Sequence, residues 1–466
     1  MQLPIVAPAP LVSRHAPAFR DLFGNRCQFQ HFQEYLTGLM VLDNKSLRNM
    51  ARCIVDSADK TNLSRFLPEA PWDEAAINGR RVQYPLAQTA RQRRPASDSA
   101  LVLDDTLCEH VGSLFDHIDR HDNHSDGTYP LAHNPVTSFY VSGPVRFPVD
   151  VRLYRRYEEL TRWAAFVAKH CPDRPIPTAA KERAKLRQAI APTLLADPEF
   201  QALHDQFRTK IALGLDLVKQ AIERELPFGV VLMDSWYLAQ EVVTTLAELK
   251  KDWVSLLKSN RNLETASFVL KDAAGQPVPL GGPHLQAQKL VPLIPHSAYR
   301  SATVGDRTYW CFTLAVRVAS LGKVRLVISF DNPDLTGSYA LLVTNRTDWS
   351  AQKVIATYLL RWPVETFYQD GKTLLGWDDY RMRSAEALAK HWCLVCVAYS
   401  FLHLAGLPAS LAEGSRPAKS IGAACRDQAQ ALVQALILKA HALLAQGQPA
   451  TTVFASLFAK LGWTAA

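Results

Sequence analysis

At 466 residues the chain exceeds one ordinary hydrophobic core and is expected to fold as roughly two to four substructures. Its 48% hydrophobic and 21% charged residues exclude a disordered chain. Lys and Arg outnumber Asp and Glu by 52 to 44, and the resulting charge of +8 favours an anionic partner such as nucleic acid without requiring one.

The first residues, MQLPIVAPAPLVSRHAPAF, have neither a basic start nor a continuous apolar run, so no signal peptide is expected. No run of about 18 apolar residues occurs, and no membrane span is expected. Residues 19–66 carry helical periodicity in FQHFQEYLTGLM and SLRNMARCIVDSA, with Asn44 or Ser46 as a cap. PEAPWDEAAING then leads into a basic connector with Arg80, Arg81, Arg91, Arg93 and Arg94. That run is either a solvated linker or an arm touching a nucleic-acid backbone.

The pattern changes near residue 100. ALVLDDT is a short apolar run ending in acids, as a buried strand does when it delivers side chains to its C-terminal edge. VTSFYVSG and VRFPVDVRLY, split by Gly143-Pro144, read as a hairpin. Residues 155–225 are mostly helical in period. PFGVVLMDSWY repeats the first device and ends its strand at Asp234, followed by a helix in LAQEVVTTLAELKK and a strand in WVSLLKSN. Residues 261–347 are irregular and strand-rich, with turns at DAAGQP, LGGP and DNPDLTGS. Helix returns over 348–375, and 385–466 is helical and alanine-rich. Within it, Cys393 and Cys396 share a helical face and read as buried thiols, because no second Cys/His pair lies nearby. The scattered cysteines fit a reducing, cytoplasmic setting.

Two strands ending in Asp and a later helical Glu365 form a chemical set. Carboxylates are hard oxygen ligands suited to Mg2+. Three of them converging from different elements can hold two ions about 3.5–4 Å apart, the arrangement that serves both the attacking and the leaving oxygen of a phosphodiester. Taken singly, each acid also suits a cap, a turn or a solvated helix face.

The stretch YLLRWPVETFYQDGK, residues 358–372, is more specific. At about 100° per residue, Tyr358, Arg361, Glu365 and Lys372 fall within an arc of about 60°. Pro363 disfavours a continuous helix at Trp362, so a kink or a fresh start is expected just before Glu365. An ion pair accounts for Arg361 and Glu365 but leaves Tyr358 and Lys372 unexplained.

This set resembles the Tyr–Arg–Glu–Lys signature of one large group of bacterial insertion-sequence transposases, DDE enzymes with an RNase H-like core. LVLDDT resembles the first motif of that group, a strand followed by Asp-x-Thr. VVLMDSWY resembles the second, and KSNR, at 258–261, the strand after it. FQHFQEYLTGLM and SRFLPEAPWDE are similar to the helical entry domain of one branch. The Asp-x-Thr register selects Asp104 over Asp105, and strand alternation points the two to opposite faces, so they cannot substitute for each other.

The resemblance implies an α/β fold, an RNase H-like mixed-sheet catalytic core with a strand-rich insertion and helical regions at both ends. Its expected boundaries are 1–95 (helical, DNA-binding), 96–260 (core, first part), 261–347 (insertion), 348–384 (core, second part) and 385–466 (C-terminal helices). It implies Asp104, Asp234 and Glu365 as ligands of two Mg2+ ions, with Mn2+ as a substitute. Arg361, Lys372, Lys258 and Arg261 would grip DNA phosphates, and Tyr358 would add a hydroxyl contact. Trp236 would stack on an extruded base or pack in the core. The implied reaction is cleavage of transposon ends and transfer to target DNA, by a homodimer assembled on double-stranded DNA. Competing readings are an RNase H-like nuclease that does not join, and a domesticated transposase that only binds DNA.

Overall fold

The computed structural model describes residues 3–57, 60–123, 126–407 and 419–463. Part of the expected C-terminal helical region, residues 408–418 and 464–466, lies outside them. Helix α1 (Arg26–Val41) starts at Asn25, whose side chain accepts from the Gln28 N–H. A short helix over Leu47–Cys53 uses both expected caps in tandem. Ser46 accepts from the Asn49 N–H, and Asn44 accepts from the Ser46 N–H.

Helix α2 (Glu74–Gln88) occupies much of the stretch expected as a basic connector. Arg81 is fully buried there and donates to the Asn78 side chain and to the carbonyls of Pro148 and Val149. Arg80 pairs with Asp21. Charge composition signalled solvent, but the helix periodicity aims Arg81 into the protein.

The sheet begins with β1 (Ala100–Asp105), β2 (Leu131–Ser142) and β3 (Val145–Tyr154), an antiparallel meander whose last turn uses Gly143 at φ 60°. Helices over Trp163–His170, Ala180–Leu195 and Pro198–Gln206 then enclose a small core of their own around Trp163, Phe166 and Phe200. The chain returns through α3 (Lys210–Glu223), β4 (Val230–Met233), α4 (Gln240–Glu248) and β5 (Asp252–Leu256). Strands β4 and β5 run parallel to β1, giving the order β3-β2-β1-β4-β5. Three antiparallel strands followed by two parallel ones reached through helices make this an RNase H-like fold.

Strands β6 (Arg307–Val318), β7 (Gly322–Phe330) and β8 (Tyr339–Thr344) come from the strand-rich block. β8 pairs antiparallel with β5, and the order continues β5-β8-β7-β6 within the same sheet. The block therefore extends the central sheet and is not a detached peripheral one. Helices α5 (Ala351–Leu359), α6 (Trp362–Asp370), α7 (Ala385–Gly406) and α8 (Ile421–Ala445) follow.

Both faces of the sheet are covered, which is why β1 and β4 read as unbroken apolar runs. Ala100, Val102, Val230 and Leu232 pack on the side of α6 and α7, with Val364, Phe367 and Tyr399. Leu101, Leu103, Val231 and Met233 pack on the side of α3 and α4, with Leu217, Val218 and Val242. Helix α7 also packs on α1, α2 and β3, so helices from both ends of the chain share one layer. By length and composition α7 could cross a membrane, but 89% of its most apolar stretch is buried inside the protein. Cys393 and Cys396 lie on α7 as buried free thiols.

Candidate active site

The pairing of β1 with β4 sets Ala100 beside Val230 and Val102 beside Leu232. Two residues further lie Asp104, at the end of β1, and Asp234, just past the end of β4. Asp104 continues the even-numbered positions of β1, the face covered by α6, and meets Arg361 there. Asp234 is fixed by a turn of its own making: its Oδ1 accepts from the N–H groups of Trp236 (2.9 Å) and Tyr237 (3.3 Å). Burial raises its pKa, and those two donors oppose the rise.

Asp104 is buried, with its Oδ1 accepting from the Asp105 N–H and its Oδ2 2.5 Å from Arg361 Nη1. Burial raises its pKa to about 7 against the pull of Arg361, and Glu365, Asp105 and Asp234 push the same way as burial. Asp104, Asp105, Asp234 and Glu365, four carboxyl groups, crowd one cleft.

Pro363 acts as expected. It occupies the first turn of α6, and the chain breaks between α5 and α6 at Leu360 and Arg361. Tyr358, Arg361, Glu365 and Lys372 therefore do not lie along one continuous helix. Glu365 stands in the first turn of α6, where the helix dipole favours a carboxylate. Arg361 reaches it through Nη2 (2.8 Å) and so bridges Asp104 and Glu365. Lys372 sits on a π-helical turn, Gly371–Leu375, and donates to the Leu107 carbonyl at 2.7 Å. The buried Tyr358 hydroxyl lies near Arg361 without a hydrogen bond of ordinary geometry, and burial raises its pKa to about 12.

A cleft of about 820 Å3 collects Asp104, Asp234, Glu365, Lys372, Trp236 and Lys258. Trp236 is 48% exposed, which corrects the alternative of a packed core residue. Lys258 Nζ lies 5.0 Å and Lys210 Nζ 6.0 Å from its ring centroid. Arg261 is not in the cleft lining; it donates to the Leu238 carbonyl at 2.8 Å and holds the turn after β4.

Sequence reasoning passed over the surroundings of Asp105. Its Oδ2 receives Lys210 Nζ (2.8 Å) and Asn134 Nδ2 (2.9 Å), and its Oδ1 receives the Tyr237 hydroxyl (2.9 Å). Tyr237 carried a signal, standing in the DSWY motif; Lys210 and Asn134, remote in sequence, carried none.

The donor chemistry suits a hard divalent cation, since the acids that meet here are carboxylates. Among the described residues, however, no three acidic, His or Cys side chains are close enough to share one ion. Arg361 holds two of the acids by itself.

Residues 18–303, well over half of the chain, match the family model described as DDE superfamily endonuclease, and the chain belongs to that family. The matched span contains Asp104 and Asp234 and ends before Glu365. No curated protein matches the chain. Family membership gives the class of chemistry: DDE nucleases cut DNA phosphodiester bonds and generally use divalent metal ions.

Proposed function

We propose that this chain is a DNA transposase of the Tyr–Arg–Glu–Lys group, cleaving the ends of its element and transferring them into target DNA. One observation carries the reading: Asp104 at the end of β1, Asp234 just past the end of the neighbouring parallel β4, and Glu365 on α6 line one cleft. In this reading Asp104, Asp234 and Glu365 hold two Mg2+ ions, for which Mn2+ substitutes. Ions bound there would polarise the scissile phosphate and favour ionisation of the attacking oxygen.

The chain's own groups do the rest. Lys372 and Lys258 line the cleft as phosphate partners, and the exposed Trp236 offers a face on which a base can stack. Water attacks at the element end, forming a new phosphorus–oxygen bond as the 3′ oxygen leaves and takes a proton. The freed 3′-hydroxyl attacks a second phosphodiester and expels another 3′ oxygen, so no covalent protein intermediate is needed. Residues 1–95 are assigned to DNA binding, 96–260 and 348–384 to the catalytic core, 261–347 to an insertion and 385–466 to a C-terminal helical region. Two ends must be held together, which favours a homodimer on DNA.

The test uses the element's own end sequences as duplexes, with Mg2+ or with Ca2+. Mg2+ should give a 3′-hydroxyl product and then a joined product, and Ca2+ should support DNA binding without cleavage. The description of the family as an endonuclease favours one second reading, cutting without joining, and absence of the joined product would select it.

A further inference from the structure

Arg361 touches two carboxylates of the cleft at once, Asp104 Oδ2 at 2.5 Å and Glu365 Oε1 at 2.8 Å. Its side chain is only 16% exposed. The planar fork of the guanidinium spans the two acids and engages lone pairs that a divalent cation would also need. Two lysines of the cleft are engaged elsewhere, Lys210 with Asp105 and Lys372 with the Leu107 carbonyl, while Lys258 lies over the Trp236 ring. Arg361 also stands at the break between α5 and α6, at the N-cap of a helix whose cap position makes no side-chain hydrogen bond.

Resting on the reading of Asp104 and Glu365 as metal ligands, we propose that Arg361 is a displaceable internal cation. It neutralises the cleft when DNA is absent and must release both acids before they take divalent ions. A DNA phosphate is the partner suited to draw it off, because a guanidinium pairs with phosphate in the same two-pronged way as with carboxylate. Phosphate binding and metal loading then favour each other, by linkage through one side chain. Arg361 is thus a positioning residue that delays metal loading until DNA is in place.

The test is Mn2+ binding to the full chain without DNA, followed through the electron paramagnetic resonance of the free ion. Arg361→Gln should bind Mn2+ tighter than wild type by roughly tenfold, the size of a one-unit electrostatic perturbation. The gain should vanish in the Asp104→Asn/Arg361→Gln double variant. Equal Mn2+ affinity in wild type and Arg361→Gln, with weaker binding in Asp104→Asn, would overturn the proposal and leave the metal-site reading standing. Unchanged binding in Asp104→Asn, in either background, would overturn the metal-site reading itself. If Arg361→Gln fails to fold by circular dichroism, Arg361→Lys takes its place. An ammonium cannot reproduce the fork, so tighter Mn2+ binding than wild type is expected, and equality overturns the proposal. In EDTA, Asp104→Asn should bind duplex DNA several-fold tighter than wild type. An equal gain from Asp104→Asn in the Arg361→Gln background would reduce it to simple loss of negative charge and overturn the exchange with phosphate.

Discussion

The Tyr237 hydroxyl donates to Asp105 Oδ1 at 2.9 Å, and that bond ties together the two segments that carry Asp104 and Asp234. Asp105 follows Asp104 at the end of β1, and Tyr237 belongs to the turn that Asp234 caps. Lys210 and Asn134 complete the enclosure of the Asp105 carboxylate. Asp105 thus fixes the spacing of the cleft acids while itself lining the same cleft as Asp104 and Asp234.

Replacing Asp105 by Asn keeps an acceptor for Tyr237 but leaves Lys210 without its anion. Asp105→Asn should lower stability by about 1–3 kcal/mol in urea unfolding and leave reduced but measurable cleavage. Tyr237→Phe, which removes a hydrogen bond to a carboxylate, should cost about 1.5–3 kcal/mol. Complete loss of cleavage in Asp105→Asn, with cleavage spared in Asp104→Asn, would exchange the roles of the two acids.

Lys372 separates a phosphate role from a structural one. As a phosphate partner, Lys372→Ala should weaken binding across all DNA sequences and make the salt dependence shallower by about one unit. Its charge-assisted bond to the Leu107 carbonyl is worth about 1.5–3 kcal/mol, so the melting temperature should fall by only a few degrees. A lower melting temperature with an unchanged salt slope would reduce Lys372 to a staple for the loop after β1.

Arg81 joins α2 to β3 through the carbonyls of Pro148 and Val149. Arg81→Ala takes the guanidinium donor from the Pro148 carbonyl and the Asn78 side-chain oxygen in a closed interior, while the Val149 carbonyl keeps the Asn78 amide at 3.1 Å. Urea unfolding should show a loss of about 2–6 kcal/mol, from two orphaned acceptors at about 1–3 kcal/mol each. Arg80→Ala, at the exposed pair with Asp21, should be close to neutral.

Acid should destabilise the fold through its buried histidines. His391 is fully enclosed, with Tyr35 at Nδ1 and the Gly376 carbonyl at Nε2, and burial lowers its pKa to about 4, the carbonyl opposing. The unfolded state, with a pKa of about 6.5, takes the proton first. This contribution is therefore fully present above pH 6.5 and is lost as pH falls toward 4. His15 and His121 are lowered to about 4 in the same direction by burial. The melting temperature should fall across that window, and His391→Gln should flatten the fall by one proton; an unaltered slope would contradict the assignment.

What the sequence carried plainly was whatever local pattern decides. The runs ALVLDDT and PFGVVLMDSWY announced buried strands ending in acids, because parallel strands covered on both faces must be apolar throughout. The hairpin at Gly143 and the helix restart at Pro363 followed from backbone restrictions. Partners distant in the chain were not legible. Arg81 looked like a linker charge because its acceptors lie on β3, and Trp236 had a core alternative until its exposure was seen. Nothing local linked Arg361 to Asp104, which is brought to it only by the packing of α6 on the sheet.

The central claim is that Asp104, Asp234 and Glu365 form one phosphodiester-cleaving site. Single-turnover cleavage of the element's own end in Mg2+, by Asp104→Asn, Asp234→Asn and Glu365→Gln beside wild type, tests it most directly. Each substitution should lower the rate by roughly a thousandfold or more while gel-shift binding of the same duplex is retained. A near wild-type rate in any one of the three would contradict the account.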